Sequence, residues 1–497
     1  MKKMNKILIS GVAGLMIATN LVGATACSFG GTNDSAPNSD PVNVVAYDGS
    51  KVEVTFYHTM GASLQEVLNA HIEEFNKLYP NITIKHSTQG GYDELLSQIN
   101  TELEAGNSPS LAYCYADHVA EYRMTGQVIS LDDYINASTL NVSRADGTTE
   151  TMGFTQAQLD DFVDTYYNMG KNFGDNKMYM LPFSKSTEVL FYNKTYFDKH
   201  NLTAPKTWDE MEALCARILE IDNANGTNLN ATTGKTSTIP LGYDSEANWF
   251  ITMCEQYGSP YTSAEEGKNF LFNNDTNKAF MKEFKEWFDK GYVTTKECYG
   301  KYTSNLFVAE QGYMTIGSTG GTGYNIPGLS EGSGDKAAFE VAIAPIPQVS
   351  TDASKHKVIS QGPSVCLFKK SEQETAAAWL FAKYLSTSAE FQAEFSMTSG
   401  YAPVIESVMN VEAYAEFIAE ANSGNAGLKA ASVLQSIKLR DICYESPAFN
   451  GSSQARTQVG LLMQDIFAYK LKAGESIDTV IADKFDTAIS NLEYFFG

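Results

Sequence analysis

The sequence predicts an α/β protein of more than one lobe, on three observations. Strand-like and helix-like segments alternate along the chain, helix starts carry cap signals, and the length exceeds one ordinary core. At ~100–200 residues per domain, 497 residues suggest two or three domains or one large bilobed unit. Hydrophobic residues make up 43% of the chain and charged residues 19%, enough for sizeable cores and incompatible with a wholly disordered protein.

Residues 52–57 alternate and are β-rich, the pattern of a strand. Ser63 and Glu66 then stand at capping-box spacing, and Leu64, Leu68, Ile72 and Phe75 share one helical face. Tyr79-Pro80 stops that helix before a second strand at 82–84. Residues 92–103 are amphipathic through Leu95, Leu96, Ile99 and Leu103, and 111–115 are strand-like again. Such βαβα order argues for a largely parallel sheet with helices on both faces. The pattern resumes with a strand at 188–192, and with a helix opened by Thr207 and Glu210 that continues through Met211, Leu214 and Ile218. A strand at 339–343 follows, then a helix opened by Ser371 and Glu374 and running to Leu385. Residues 222–238 and 317–336 are rich in Asn, Thr, Gly and Ser and read as loops.

Charge excludes two classes of partner. The chain has 36 basic and 59 acidic residues, a formal net charge of −23, and three of the basic residues (Lys2, Lys3, Lys6) precede Cys27. So acidic a body has no basic face for nucleic acid and is repelled by anionic lipid. Those lysines begin a targeting pattern. An interrupted apolar stretch at 7–22 and the small residues Gly23, Ala24, Thr25 and Ala26 complete it. The stretch is too short and broken for a spanning helix, which needs ~20 apolar residues. A cysteine directly after the small residues resembles a bacterial lipoprotein signal, in which Cys27 is lipidated, although Ala24 stands where leucine is usual. Residues 28–50, rich in Ser, Gly, Asn, Asp and Pro, read as a flexible tether. The six other cysteines are scattered without framework spacing, and Cys114 and Cys366 sit in apolar runs, so buried free thiols are expected.

Catalytic motifs are wanting. Gly328 to Gly332 fits GxSxG, but Pro327 before it and Ser333-Gly334-Asp335 after it deny the strand–turn–helix setting of a nucleophile elbow. Gly234-Lys235-Thr236 resembles the end of a phosphate loop, yet Leu229 stands where glycine is required. Asp222 to Gly226 resembles a calcium loop only loosely, with Ala224 at a ligand position. The six histidines are dispersed, and no motif selects a carboxylate pair of the kind a glycosidase needs. No catalytic residue, metal or cofactor is expected.

A family resemblance appears along residues 51–497. Residues 56–60, Tyr92 before a helix, and above all residues 181–194 followed by Pro205-Lys206-Thr207-Trp208 look like an extracellular solute-binding protein of a bacterial ABC importer. Residues 314–320, 344–347, 362–364 and 399–403 follow in family order. Several of these pieces, with Gln454-Ala455-Arg456-Thr457, look most like the glycerol-3-phosphate-binding branch. That resemblance implies a bilobed periplasmic-binding-protein-like fold of type II, two discontinuous α/β lobes joined by hinge strands. The implied organisation is a leader at 1–26 and a tether at 27–50. Lobe 1 takes 51–187 and 358–402, and lobe 2 takes 188–357 and 403–497. Carried over by position, ligand contacts fall on Tyr92, Ser186, Ser318, Thr319, Gly362, Tyr401 and Arg456. Asp117 and Trp249 join them, as a loop carboxylate and an aromatic able to stack on a sugar. The branch places a glutamate where this chain has Ala116, followed by Asp117 and His118, which leaves room for a sugar. The implied function is capture of a carbohydrate by a monomeric, lipid-anchored, extracytoplasmic binding protein that delivers it to ABC permease subunits. Glycerol 3-phosphate or a glycerophosphodiester is the alternative ligand, and a secreted carbohydrate-active enzyme the alternative class.

Overall fold

The computed structural model describes residues 43–226, 238–265, 267–328 and 339–496. The leader, Cys27, the tether up to residue 42, residues 234–236 and residues 329–332 of the GxSxG run lie outside the described residues.

In chain order the first strands are β1 (Val52–His58), β2 (Ile82–Thr88), β3 (Leu111–Cys114), β4 (Asn141–Ser143), β5 (Thr149–Thr151) and β6 (Leu181–Pro182). They are followed by β7 (Ser186–Asn193), β8 (Leu241–Tyr243), β9 (Val293–Thr295), β10 (Met314–Ser318), β11 (Val341–Pro345), β12 (Val358–Gln361), β13 (Ser364–Leu367) and β14 (Cys443–Tyr444). One sheet has the order β2-β1-β3-β13-β6, and a second the order β14-β12-β7-β10-β8-β9 with β11 also on β7. A separate hairpin pairs β4 with β5. The expected largely parallel sheet is replaced by two mixed ones. β1 runs parallel to β2 and β3, and β8 to β9 and β10. β13 is antiparallel to β3 and β6, and β7 to β10, β11 and β12. The reason is topological: the chain leaves the first lobe along β7 and returns along β12 and β13, so the returning strands oppose the outgoing ones.

The helices follow the amphipathic pattern, with differences at their ends. Helix Ala62–Leu78 buries Val67, Leu68, Ile72 and Phe75. It is capped by the extended backbone of Gly61, so Ser63 lies inside its first turn and no capping box forms there. Thr207 and Ser371 do cap their helices, accepting from the amides of Glu210 (3.2 Å) and Glu374 (3.4 Å), each worth about 1 kcal/mol. Of the loop expected at 222–238, the first residues are helical instead, and residues 227–237 lie outside the described residues. Helix Trp208–Asn225 carries buried Asp222, whose carboxylate accepts from Tyr196, and ends at left-handed Gly226. The strand expected at 339–343 is shifted to Val341–Pro345, and residues 319–325 form a 3-10 helix rather than a loop.

Two cores divide the body. The first joins Val54, Phe56, Leu68, Phe75, Tyr113 and Phe183 to Val365, Trp379, Phe381 and Phe391. The second joins Val189, Phe191, Trp208, Trp249, Phe284 and Ile316 to Val358, Ile359, Val459 and Phe485. The expected boundary at 402/403 differs from the one the cores draw, because Val404, Ile405, Val408 and Tyr414 pack in the first core. Val358 and Ile359 belong to the second. The tether is also shorter than its expected end at 50. Tyr47 is buried against Tyr79, Asn43 donates to Glu372 (2.8 Å), and the Asp48 amide donates to Gln373 (2.9 Å). The apolar run Val44, Val45, Ala46 and Tyr47 gives this segment something to bury.

The chain crosses between the lobes at residues 184–188 and 360–364, and Ala402 pairs beside these crossings. The amides of Phe183 and Ser184 donate to the carbonyl of Pro363 (3.2 Å each), and Lys185 and Ala402 exchange backbone hydrogen bonds (3.0 and 2.6 Å). Beyond them Ser186 on β7 faces Gln361 on β12. All six described cysteines are free, four of them buried. Among the described residues no helix is long and apolar enough to cross a membrane.

Candidate functional site

A cleft opens where the two lobes meet, beyond the carboxyl ends of β3, β12 and β14, the position at which α/β sheets present ligand sites. It encloses about 600 Å³, including the part open to solvent. Short β3 ends at Cys114, and extended Tyr115 leads into helix Ala116–Arg123, which sets Asp117 in its first turn. From the other lobe, β12 contributes Ile359, Ser360 and Gln361, and the segment after β14 contributes Glu445 and Ser446. Helix Ser452–Ala468 presents Ser452 and Arg456, one turn apart on one face. Tyr261 and Thr262 complete the wall.

Tyrosines make the aromatic side of this cleft. Tyr92, at the start of helix Tyr92–Glu104, stacks on Tyr115 with ring centres 4.3 Å apart. Burial pushes both phenols up, reinforced by neighbouring tyrosines that include Tyr401. They therefore stay neutral hydroxyls able to donate and accept. The Tyr401 ring lies over Gly320, where an added Cβ would sit 2.6 Å from it. Ser318 ends β10 and donates to Ser186 Oγ at 3.2 Å, so these two expected contacts form one pair across the strands.

Charges concentrate on the opposite wall. The Glu445 carboxyl is pushed up to about 7 by burial; nearby Lys185 opposes the shift and Asp117 adds to it. One of its oxygens is buried without a hydrogen-bond partner among the described residues. Such an orphaned acceptor is costly unless something fills it. Lys185 is itself buried, donates to Ser364 Oγ (3.2 Å), and is pushed down by burial. Arg456 makes no ion pair among the described residues. Its Nη2 donates to Asn248 Oδ1, and Asn248 Nδ2 donates to Glu188 (2.5 Å).

Two expected contacts fall elsewhere. Trp249 is fully buried in the second core, stacked on Tyr243 with centres 4.9 Å apart, and cannot reach a ligand. Thr319 is likewise buried, accepting from the Thr187 amide (3.3 Å) and from Ser436 Oγ (3.1 Å). Gly362 is buried at a crossing with φ +93°, where its lack of a side chain matters more than any contact. Of the expected contacts, Asp117 and Arg456 line the cleft; Tyr92 stacks on the lining Tyr115, while Ser186, Ser318 and Tyr401 are not among its lining residues. The cleft adds Tyr115, Tyr261, Gln361, Glu445 and Ser452 as lining residues. The four-residue spacing of Ser452 and Arg456 was a signal for one of these; two-residue β14 offered none for Glu445.

Comparison with known proteins agrees with this architecture. The GacH receptor of Streptomyces glaucescens, solved unliganded and with acarbose, superimposes with a TM-score of 0.64 at 18% identity, over 89% of this chain and 98% of that one. UgpB from Mycobacterium tuberculosis in complex with glycerophosphocholine gives 0.66 at 16% identity, over 90% and 99%. The cyclic alpha-maltosyl-1,6-maltose binding protein of Arthrobacter globiformis gives 0.65 at 18%, over 89% and 99%. These likenesses establish the bilobed type II periplasmic-binding-protein fold. In sequence, the sn-glycerol-3-phosphate-binding periplasmic protein UgpB of Escherichia coli K12 is 23% identical over 375 residues, 72% of this chain and 75% of the relative. Residues 70–421 match the bacterial extracellular solute-binding protein family along most of both lobes, and with two lobes and a cleft between them, the chain belongs to that family.

Proposed function

We propose that this protein captures a neutral carbohydrate in the interlobe cleft and delivers it, without turnover, to an ABC permease, held to the membrane by a lipid on Cys27. The observation that carries the ligand class is the charge balance around Arg456. Its guanidinium shares the cavity with Asp117 and Glu445 and already spends one nitrogen on Asn248. A phosphate monoester would meet two carboxylates and half-committed donors, whereas sugar hydroxyls both donate and accept and suit carboxylates beside tyrosines.

The test begins with a thermal-shift screen of oligosaccharides and polyol phosphates. A ligand of the folded state stabilises it by about 2.7 kcal/mol at a hundredfold excess over Kd. Calorimetry with maltotriose and with glycerol 3-phosphate then compares wild type with Arg456→Ala and Asp117→Ala. For a neutral sugar each variant loses about 1–2 kcal/mol, the scale of one or two hydrogen bonds. Tight glycerol 3-phosphate binding by wild type, lost by roughly thirtyfold or more in Arg456→Ala, would overturn the carbohydrate reading in favour of the phosphate one.

Anchoring is tested separately. The small residues before Cys27 and the polar stretch after it support lipidation, and the acidic body offers no electrostatic substitute for a lipid. Cys27→Ser is expected to move the protein from the membrane fraction to the medium or to block its processing. Membrane association unchanged in that variant defeats the proposal.

A further inference from the structure

A buried hydrogen-bonded chain runs behind Arg456 and ends on a carboxylate. Arginine carries only donors, so Asn248 must turn its oxygen towards Arg456 and its amide nitrogen away. That nitrogen donates to Glu188 Oε1 at 2.5 Å, and the other Glu188 oxygen accepts from the Tyr243 hydroxyl. Glu188 and Asn248 are 1% and 2% exposed, so this carboxylate has no access to bulk water. Two donors converge on it, Asn248 Nδ2 and the Tyr243 hydroxyl, and both favour its ionised form against the burial. We infer that Glu188, acting through Asn248, is the positioning and counter-charge residue of Arg456, and that it sets the cleft's selectivity for neutral over anionic ligands. Asn248 keeps the guanidinium turned into the cleft, while Glu188 cancels its charge from behind, where no ligand can compete. This rests on the proposed reading only in that Arg456 faces the ligand.

The surroundings of Glu188 define what else could titrate there. Tyr243 approaches from β8 and Asp244 from the residue after it, Tyr444 from β14, and Arg456 from helix Ser452–Ala468. Around this point β10, β11 and β12 place Ser318, Pro345 and Ser360 beside β7, none of them titratable. Burial pushes the Glu188 carboxyl up to about 7, against the hydrogen bonds from Tyr243 and Asn248 and the charge of Arg456. Protonation therefore removes the counter-charge in an accessible pH range.

The experiment uses inorganic sulfate, a dianion with no titration of its own in this range, as probe at constant ionic strength and pH 8. Glu188→Gln keeps the shape, and a rotated Tyr243 hydroxyl preserves both hydrogen bonds, so the variant removes the charge alone. Sulfate binding, read by calorimetry, is expected to become at least about tenfold tighter than any shown by wild type, as loss of one nearby buried charge implies. The gain should disappear in Glu188→Gln/Arg456→Ala. Unchanged sulfate affinity in Glu188→Gln, or a gain that survives removal of Arg456, overturns the proposal. If Glu188→Gln does not fold, pH takes its place in a Glu445→Gln background, which removes the other carboxyl that titrates near 7. There sulfate should bind at least about tenfold tighter at pH 5.5 than at pH 8, and not at all once Arg456→Ala is added; a flat profile overturns the inference. Because the probe is an anion and not a sugar, failure to find a carbohydrate ligand leaves this test intact.

Discussion

Trp249→Ala is expected to cost about 3–5 kcal/mol of folding stability while leaving the ligand affinity of the folded protein within about threefold of wild type. The indole is fully buried between Tyr243, parallel to it within 9°, and Trp208, with Phe284 4.3 Å away centre to centre. Its Nε1 has no hydrogen-bond partner among the described residues, so the side chain acts through packing alone. Removing it leaves a cavity walled by aromatic rings already held by other neighbours, among them Phe467 and Trp287, which limits collapse into the space. A loss of this size is a large fraction of the ~5–15 kcal/mol that separates folded from unfolded domains. Urea unfolding followed by tryptophan fluorescence, with calorimetry on the folded sample, checks both halves. Stability within about 1 kcal/mol of wild type together with lost ligand binding would return Trp249 to the cleft.

That residue also shows where the sequence stops being informative. An isolated tryptophan in an apolar run suits a sugar platform and a core equally. What decides is Tyr243, Trp208 and Phe284, brought in from three other elements by tertiary packing. Features with a local cause were readable: the amphipathic faces of Ala62–Leu78 and Tyr92–Glu104, and the caps at Thr207 and Ser371. Strand direction was not, because whether β13 lies parallel or antiparallel to β3 depends on the chain returning from a distant lobe, not on residues 364–367. The site divided in the same way. Asp117 and Arg456 stand in stretches with recognisable surroundings. Glu445 follows a strand of two residues and is placed only by the pairing of Tyr444 with Ile359. Thr319 carried the right chemistry in the right turn, but the 3-10 helix that follows Ser318 turns it inward towards Ser436.

Gly362→Ala should be the most damaging small substitution at the hinge, costing about 3 kcal/mol. Gly362 has φ +93°, a conformation that L side chains rarely adopt, and the left-handed region alone costs ~1–2 kcal/mol. The added Cβ would stand 2.5 Å from the Ser184 carbonyl oxygen, 2.9 Å from Lys185 Cα and 3.0 Å from the Ser186 amide. All three are backbone atoms of the neighbouring crossing, so no rotamer change can relieve the clash. Nor can that crossing step aside freely, because Ser184 is tied to Pro363 and Lys185 to Ala402 on either side. Forcing a methyl into packed surroundings adds ~1–3 kcal/mol. The strain falls where β7 and β12 leave together for the second lobe, and β12, paired there with β7 through Ser186, carries Gln361 to the cleft. The substitution should therefore weaken ligand binding in the folded fraction as well, because it shifts one lobe's contribution to the site relative to the other's. Gly321 supplies the control: it has no positive φ and nothing within 4 Å of its added Cβ, so Gly321→Ala should stay within about 0.5 kcal/mol of wild type. Urea midpoints for the two variants, with calorimetry on each, make the comparison, and equal stability of Gly362→Ala and Gly321→Ala would show that the backbone around residue 362 yields to a methyl group without cost.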